Sequence, residues 1–245
     1  MNPPDLPELF TSVDQVAEML LAQARWVDPP VNAWELAKRL NITVAIDASQ
    51  VVRARQKRIA GQAAVFLRPE PRFERTQWAI AHEIAEHAAY RVFQLAGVAA
   101  DEVSPRLREQ AANQLASRLL MPSATFAADV GRLGYDLLEL KRRYATASYE
   151  SIAMRLLSLP AALIVTVFDH GGLTSRRTNL PGRLLPLGER ERACWATVHD
   201  VGRPRRFDFG SISIAGFAVH EENWKREVLL TKLDPEFADL AEVSL

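Results

Sequence analysis

Within the stretch Arg72-Phe-Glu-Arg-Thr-Gln-Trp-Ala-Ile-Ala-His-Glu-Ile-Ala-Glu-His-Ala-Ala-Tyr-Arg-Val-Phe93, four neighbouring residues carry chemistry: His82, Glu83, Glu86 and His87. Imidazole nitrogen and carboxylate oxygen are both ligands for divalent cations, and a carboxylate beside such an ion is a general base for the attack of water. The group stands one position away from His-Glu-x-x-His, in which two histidines on one helical face hold zinc and the Glu is the base.

That one position matters. At about 3.6 residues per turn, residues four apart lie roughly 40° from eclipsed, whereas residues five apart lie roughly 140° apart. His82 therefore shares a face with Glu86 in a regular helix. Three readings follow. His82 and Glu86 are the two helical ligands; or a one-residue π-bulge, a device concentrated at functional sites, swings His87 round beside His82; or the helix carries two interleaved pairs, His82/Glu86 and Glu83/His87, each stabilising it by a few tenths of a kcal/mol.

The elements that must position these groups follow from periodicity. Arg72–Phe93 has no Pro or Gly, and Trp78, Ala81, Ile84, Ala85, Ala88, Ala89 and Val92 recur at helical spacing, which predicts one amphipathic helix. Ser104-Pro105 predicts the start of another, with Ser as N-cap and Pro at the first helical position. This second helix runs to about Leu120 on a stripe of Leu107, Ala111, Leu115 and Leu119, and Met121-Pro122 closes it. Glu109 on it is the natural source of a third ligand, while the plain structural alternative is a solvated surface acid.

Upstream, Ser12 to Ala24 reads as a helix capped by Ser12, Asn32 caps Ala33–Leu40, and Ile42–Ile46 and Gln62–Leu67 read as strands. A basic irregular segment with Arg53, Arg55, Lys57 and Arg58 separates those strands and leads to Gly61. Downstream, Ser123–Val130 is a short helix broken by Gly131–Gly134. Asp136 caps Leu137–Arg143 and Ser148 caps a helix to Leu157, a helix-turn-helix spacing. Beyond Pro160 the period changes to that of strands: a hairpin Leu163–Phe168/Leu173–Asn179, then Cys194–His199, Ile212–Val219 and Val228–Leu233. His170, His199 and His220 read as loop or strand-end residues, not ligands. The expectation is an α+β fold in three parts: a mainly helical domain with a small sheet over 1–122, a helical pair over 123–160, and a β-rich domain over 161–245.

Composition bounds the partners. Thirty Lys and Arg balance thirty Asp and Glu over 245 residues, so no overall field draws the chain to nucleic acid or an anionic membrane. Eight Arg and no Lys fall between Pro160 and Phe207, a local imbalance that oppositely charged faces of the same domain account for. Lys141, Arg142, Arg143 and Arg155 can reach phosphates in a DNA-binding reading of the helical pair, but a hairpin packed against its neighbours accounts for the same pattern. The single cysteine, Cys194, excludes an intramolecular disulfide and a cysteine zinc cluster and reads as a small buried hydrophobe. With no signal peptide and no run of roughly 18 apolar residues, a cytosolic location is expected.

Three segments carry a resemblance. Gln77-Trp-Ala-Ile-Ala-His-Glu-Ile-Ala and Glu109-Gln-Ala-Ala-Asn-Gln-Leu-Ala-Ser-Arg-Leu-Leu-Met-Pro122 resemble the two signature segments of the ImmA/IrrE metallopeptidase-like family. Pro29-Pro-Val-Asn-Ala-Trp-Glu-Leu-Ala-Lys-Arg-Leu-Asn-Ile-Thr-Val44 resembles the segment that precedes them. The similarity spans roughly residues 12 to 160. It implies a gluzincin-like zinc site with His82 and Glu109 as ligands and Glu83 as base, acting on a protein partner such as a transcriptional repressor. The departure is Glu86, where the family has its second His. With Glu86 bound, a divalent ion has its charge formally cancelled, and Mn²⁺ or Mg²⁺ gains on Zn²⁺. A dipeptidyl peptidase family with an extra residue between its zinc histidines is the precedent for His87 instead. The region beyond Pro160 resembles the sensor-like domain of some members.

Overall fold

The computed structural model describes residues 6–49, 51, 54–59, 62–99, 101–182, 184 and 186–234, and its architecture is α+β. The chain divides into two compact units, Met1–Arg132 with Arg142–Ser148, and Leu133–Lys141 with Tyr149–Leu245. No helix among the described residues is long and apolar enough to cross a membrane.

The first unit is built on α3 (Phe73–Leu95) and α4 (Pro105–Leu120), which pack together along buried Ile80, Ala81, Ile84, Ala88, Ala112, Leu115, Ala116 and Leu119. Ala81, Ala88, Ala112 and Ala116 are small enough to keep this contact close. The buried face of α3 takes in Gln77, whose Oε1 accepts the Ala33 N–H at 2.6 Å at the start of α2 (Ala33–Arg39). The Trp78 expected there is only half-buried. Asn32 caps α2 through Trp34 and Glu35 N–H, and Ser104 caps α4 through Leu107 N–H, with Pro105 in the first turn.

Three expectations need correction in this unit. The first helix, α1 (Leu6–Gln23), begins well before Ser12, which lies buried inside it; Pro7 falls in the first turn, where its missing N–H costs nothing. The basic segment read as irregular contains strand β2 (Ala54–Ile59); its Arg53 and Gly61 lie outside the described residues. β2 pairs antiparallel with β3 (Gln62–Leu67), and β1 (Thr43–Ile46) pairs parallel with the other edge of β3. Three basic residues among six leave β2 without an apolar alternation, and charged side chains are common on edge strands, where they discourage further pairing. The third concerns α5 (Ser123–Leu133), which runs through Gly131 without breaking.

The buried Arg118 and Asp129 of this unit are each paired with opposite charge. Arg118 of α4 meets Asp14 of α1, whose Oδ1 also accepts the Ser123 hydroxyl at 2.6 Å. Arg143, at the end of α6 (Leu137–Arg143), donates to Asp28, to Asp129 at 2.8 Å and to the Pro29 carbonyl, while Tyr144 donates to Asp129 at 2.9 Å. Burial pushes the Asp129 carboxyl up, but the hydrogen bonds from Arg143, Arg132 and Tyr144 outweigh it and hold it below the ordinary value. A depressed carboxyl contributes stability that is complete above its unfolded pKa of about 4 and is lost as pH falls through the folded value. The urea midpoint should therefore fall from pH 5 towards pH 3, and Asp129→Asn should flatten that slope; identical slopes for the two proteins would remove Asp129 from the acid transition.

In the second unit, after α7 (Tyr149–Leu156), strands β4 (Leu163–Asp169), β5 (Gly172–Thr178), β6 (Arg205–Asp208), β7 (Ile212–Glu221) and β8 (Trp224–Leu233) form one antiparallel sheet in the order β5-β4-β8-β7-β6. Here Cys194–His199 is not a strand. It lies in α8 (Glu189–Val201), whose start is held by Glu191 Oε2 accepting the Gly188 N–H at 3.0 Å and whose end is Gly202 at φ 65°. Those two caps override the strand-prone Cys-Trp-Ala-Thr-Val run. Cys194 is buried, as expected, with Val198, Phe168, Ile214 and Leu229. β6 is not expected from the sequence, because Arg205, Arg206 and Asp208 are charged and exposed and Phe207 is its one apolar residue.

α8 approaches the sheet at Gly216. A Cβ there would lie 2.6 Å from Val198 Cγ2, 2.9 Å from Leu229 Cδ2 and 3.2 Å from Cys194 Sγ. Gly216→Ala should destabilise this unit by about 2 kcal/mol, read as a lower melting temperature, since overpacking a close contact costs about 1–3 kcal/mol.

Candidate metal centre

α3 is helical throughout, with no π-turn at Ala85–His87, so His82 and Glu86 share a face. α4 brings Glu109 opposite them. His82 Nε2 lies 3.8 Å from Glu86 Oε1 and 3.7 Å from Glu109 Oε2, and one ligand atom from each of the three residues falls within 4.8 Å of the others. His87 is half-buried and lies outside this group.

These distances are informative. They exceed an ordinary hydrogen bond, yet two ligands of a tetrahedral ion bound at about 2.0–2.2 Å sit about 3.4 Å apart. The three groups thus suit a cation between them better than contact with each other. Exposure of their side chains, 18% for His82, 39% for Glu86 and 55% for Glu109, leaves the far side open to solvent. His82 Nδ1 is buried and has no hydrogen-bond partner among the described residues, so packing holds the ring and Nε2 is the nitrogen that faces outward. Glu109 is steadied by Asn113, one turn on, whose Nδ2 donates to Oε1 at 2.9 Å. The Asn of Glu-x-x-Ala-Asn was visible in the sequence, but not this role.

Glu83 is buried. Burial raises its carboxyl, and the Glu86 and Glu109 carboxylates raise it further, to about 7. A carboxyl near neutrality can both take and return a proton at physiological pH. Of the four cations of the DNA reading, Arg143, Arg155 and Lys141 have the following neighbours within the chain. Arg143 is occupied by Asp28 and Asp129, Arg155 is buried and donates to Ser158 Oγ at 2.6 Å, and Lys141 Nζ lies 5.9 Å from the Tyr149 ring centre.

The profile of the peptidase M78, IrrE N-terminal-like domain family matches residues 37–157, the span that holds α3, α4 and the group just described. The chain belongs to the ImmA/IrrE family. The family is metallopeptidase-like, is in general metal-dependent, and is associated with acting on or regulating transcriptional regulators. A solved Mycobacterium tuberculosis transcriptional regulator is similar to this ImmA/IrrE chain with a TM-score of 0.65 and 18% identity, covering 94% of this chain and 78% of that one. At that identity the likeness is one of fold. Among curated proteins, none matches the sequence.

Proposed function

We propose that the chain is a metal-dependent peptide-bond hydrolase of the ImmA/IrrE type that acts on a protein partner, of which a transcriptional repressor is the leading candidate. The observation that carries this reading is the convergence of His82, Glu86 and Glu109 at cation spacing beside a buried Glu83. Zn²⁺ is the ion we assign. Two carboxylates make the set harder than one with two histidines, so Mn²⁺ and Mg²⁺ compete better than at a His-Glu-x-x-His site.

A divalent cation in this position supplies a Lewis acid that polarises a carbonyl and makes water more acidic. The chain does the rest. His82, Glu86 and Glu109 hold the charge at the face where α3 meets α4, and Asn113 keeps Glu109 turned towards it. The Glu83 carboxylate takes the proton from water as the water oxygen bonds to the scissile carbonyl carbon. As the C–N bond breaks, Glu83 returns that proton to the leaving amine nitrogen.

The test is cleavage of a proteome-derived peptide library by the zinc- or manganese-supplemented chain, read as new N-termini by mass spectrometry. New termini that share residues around the cut and vanish with a chelator are expected. Their absence with both ions would favour the second reading, to which Glu86 lends support: a regulator that keeps the fold without the chemistry, sensing a ligand or binding DNA. With Arg143 and Arg155 already occupied, DNA is the weaker branch of that reading. A duplex titration at two salt concentrations tests it, since phosphate contacts lose affinity steeply with salt.

A further inference from the structure

The second unit contains another convergence of donors, on residues expected to be strand ends. Glu227 on β8 is wholly buried. Its Oε1 lies 2.9 Å from His199 Nδ1 on α8 and 2.5 Å from His220 Nε2 on β7, and its Oε2 accepts the Trp195 indole N–H at 3.2 Å. The register explains the meeting. Ala218 pairs with Glu227 and His220 with Lys225, so His220 and Glu227 are diagonal neighbours on one sheet face, the face that α8 covers. His199 comes down from the last turn of α8, and Gly202 lets the chain leave close to His220: a Cβ there would lie 3.3 Å from His220 Nδ1.

A buried carboxylate needs a compensating positive charge. The other wholly buried carboxylate of this unit, Glu191, has one: both its oxygens accept from the Arg176 guanidinium, at 3.0 and 2.8 Å, and Thr231 donates to it at 2.7 Å. Among the described residues Glu227 has no Lys or Arg, only the indole and two imidazoles. Both imidazoles are partly exposed, so solvent reaches the group.

We propose that His199, His220 and Glu227 form a second cation site, in which a late first-row divalent ion such as Zn²⁺, Co²⁺ or Ni²⁺ takes the place of the two hydrogen bonds to Glu227 Oε1 and the three side chains move apart to the roughly 3.4 Å that separates ligand atoms. One ligand atom from each of these residues lies within 4.8 Å of the others. Two neutral imidazoles and one carboxylate leave a net positive charge on a bound divalent ion and at least one open position. Imidazole also favours late transition ions over Mg²⁺ and Ca²⁺. The donor set is richer in nitrogen than that of His82, Glu86 and Glu109, so the two sites rank metals differently. A bound ion ties α8 to β7 and β8, and Trp195, bonded to the same carboxylate, reports on it. This inference goes beyond the hydrolase reading and does not depend on it.

The probe is Co²⁺ alone, titrated into the full chain carrying His82→Ala and Glu109→Ala, so that the cluster on α3 and α4 is removed and the second unit is untouched. One equivalent is expected, with visible d–d absorption of a nitrogen-containing low-coordinate centre, quenched tryptophan emission and a raised melting temperature. Adding His199→Gln or His220→Gln should weaken binding at least about tenfold. No uptake by the folded chain at about 1 mM Co²⁺, or affinity indifferent to both histidine substitutions, overturns the proposal. Should either histidine variant fail to fold, the absorption of the chain with both histidines decides alone: a pale six-coordinate, all-oxygen spectrum overturns it.

Discussion

Glu83→Gln is expected to lower peptide-bond hydrolysis about 10³-fold while leaving bound cation and melting temperature close to those of the unchanged chain. The amide keeps the size of the carboxyl and cannot accept the proton of an attacking water. It also removes the third carboxyl from a neighbourhood that already holds Glu86 and Glu109, whose charges and burial raise Glu83 to about 7. The variant should thus fold at least as well as its parent. Loss of turnover together with loss of the cation would give Glu83 a ligand's role instead of a base's, and unchanged turnover would remove it from the mechanism.

Glu86→His is expected to act in the opposite direction. On the unbroken α3 a residue at position 86 shares its face with His82, so the substitution places a second imidazole where the carboxylate now lies 3.8 Å from Nε2. A two-imidazole, one-carboxylate set is softer and less fully neutralises the ion. Zinc affinity should rise on the order of tenfold relative to manganese, and any zinc-supported turnover should rise with it. Competition dialysis against both ions measures the first effect directly. If the ratio of affinities stays the same, position 86 is not in contact with the ion, and Glu86 cannot be what sets its preference.

How far the sequence carries is best seen residue by residue. The helices α3 and α4 were legible because apolar spacing, the Ser104-Pro105 cap and the absence of breakers all agree. The face shared by His82 and Glu86 followed from helical geometry alone, and only coordinates could bring Glu109 to them, since it is contributed by a second helix whose rotation depends on packing. α8 was misread because Cys194, Trp195, Thr197 and Val198 favour strands taken one at a time, whereas the caps at Gly188 and Gly202 and the buried period Glu191, Cys194, Val198 decide for a helix. That error also hid the neighbourhood of Glu227. His199 and His220 are 21 positions apart, and nothing local to either reveals that a helix end and a strand meet over one buried carboxylate. The early start of α1 was missed because Ser12 has the chemistry of a cap without being at an end.

The central claim is that α3 and α4 jointly hold one cation through His82 and Glu109. Equilibrium dialysis of the unchanged chain, His82→Ala and Glu109→Ala against zinc tests it most directly, because any ion held elsewhere contributes equally to all three. The prediction is that each substitution removes the same single equivalent per chain; zinc content unchanged in either folded variant would contradict it.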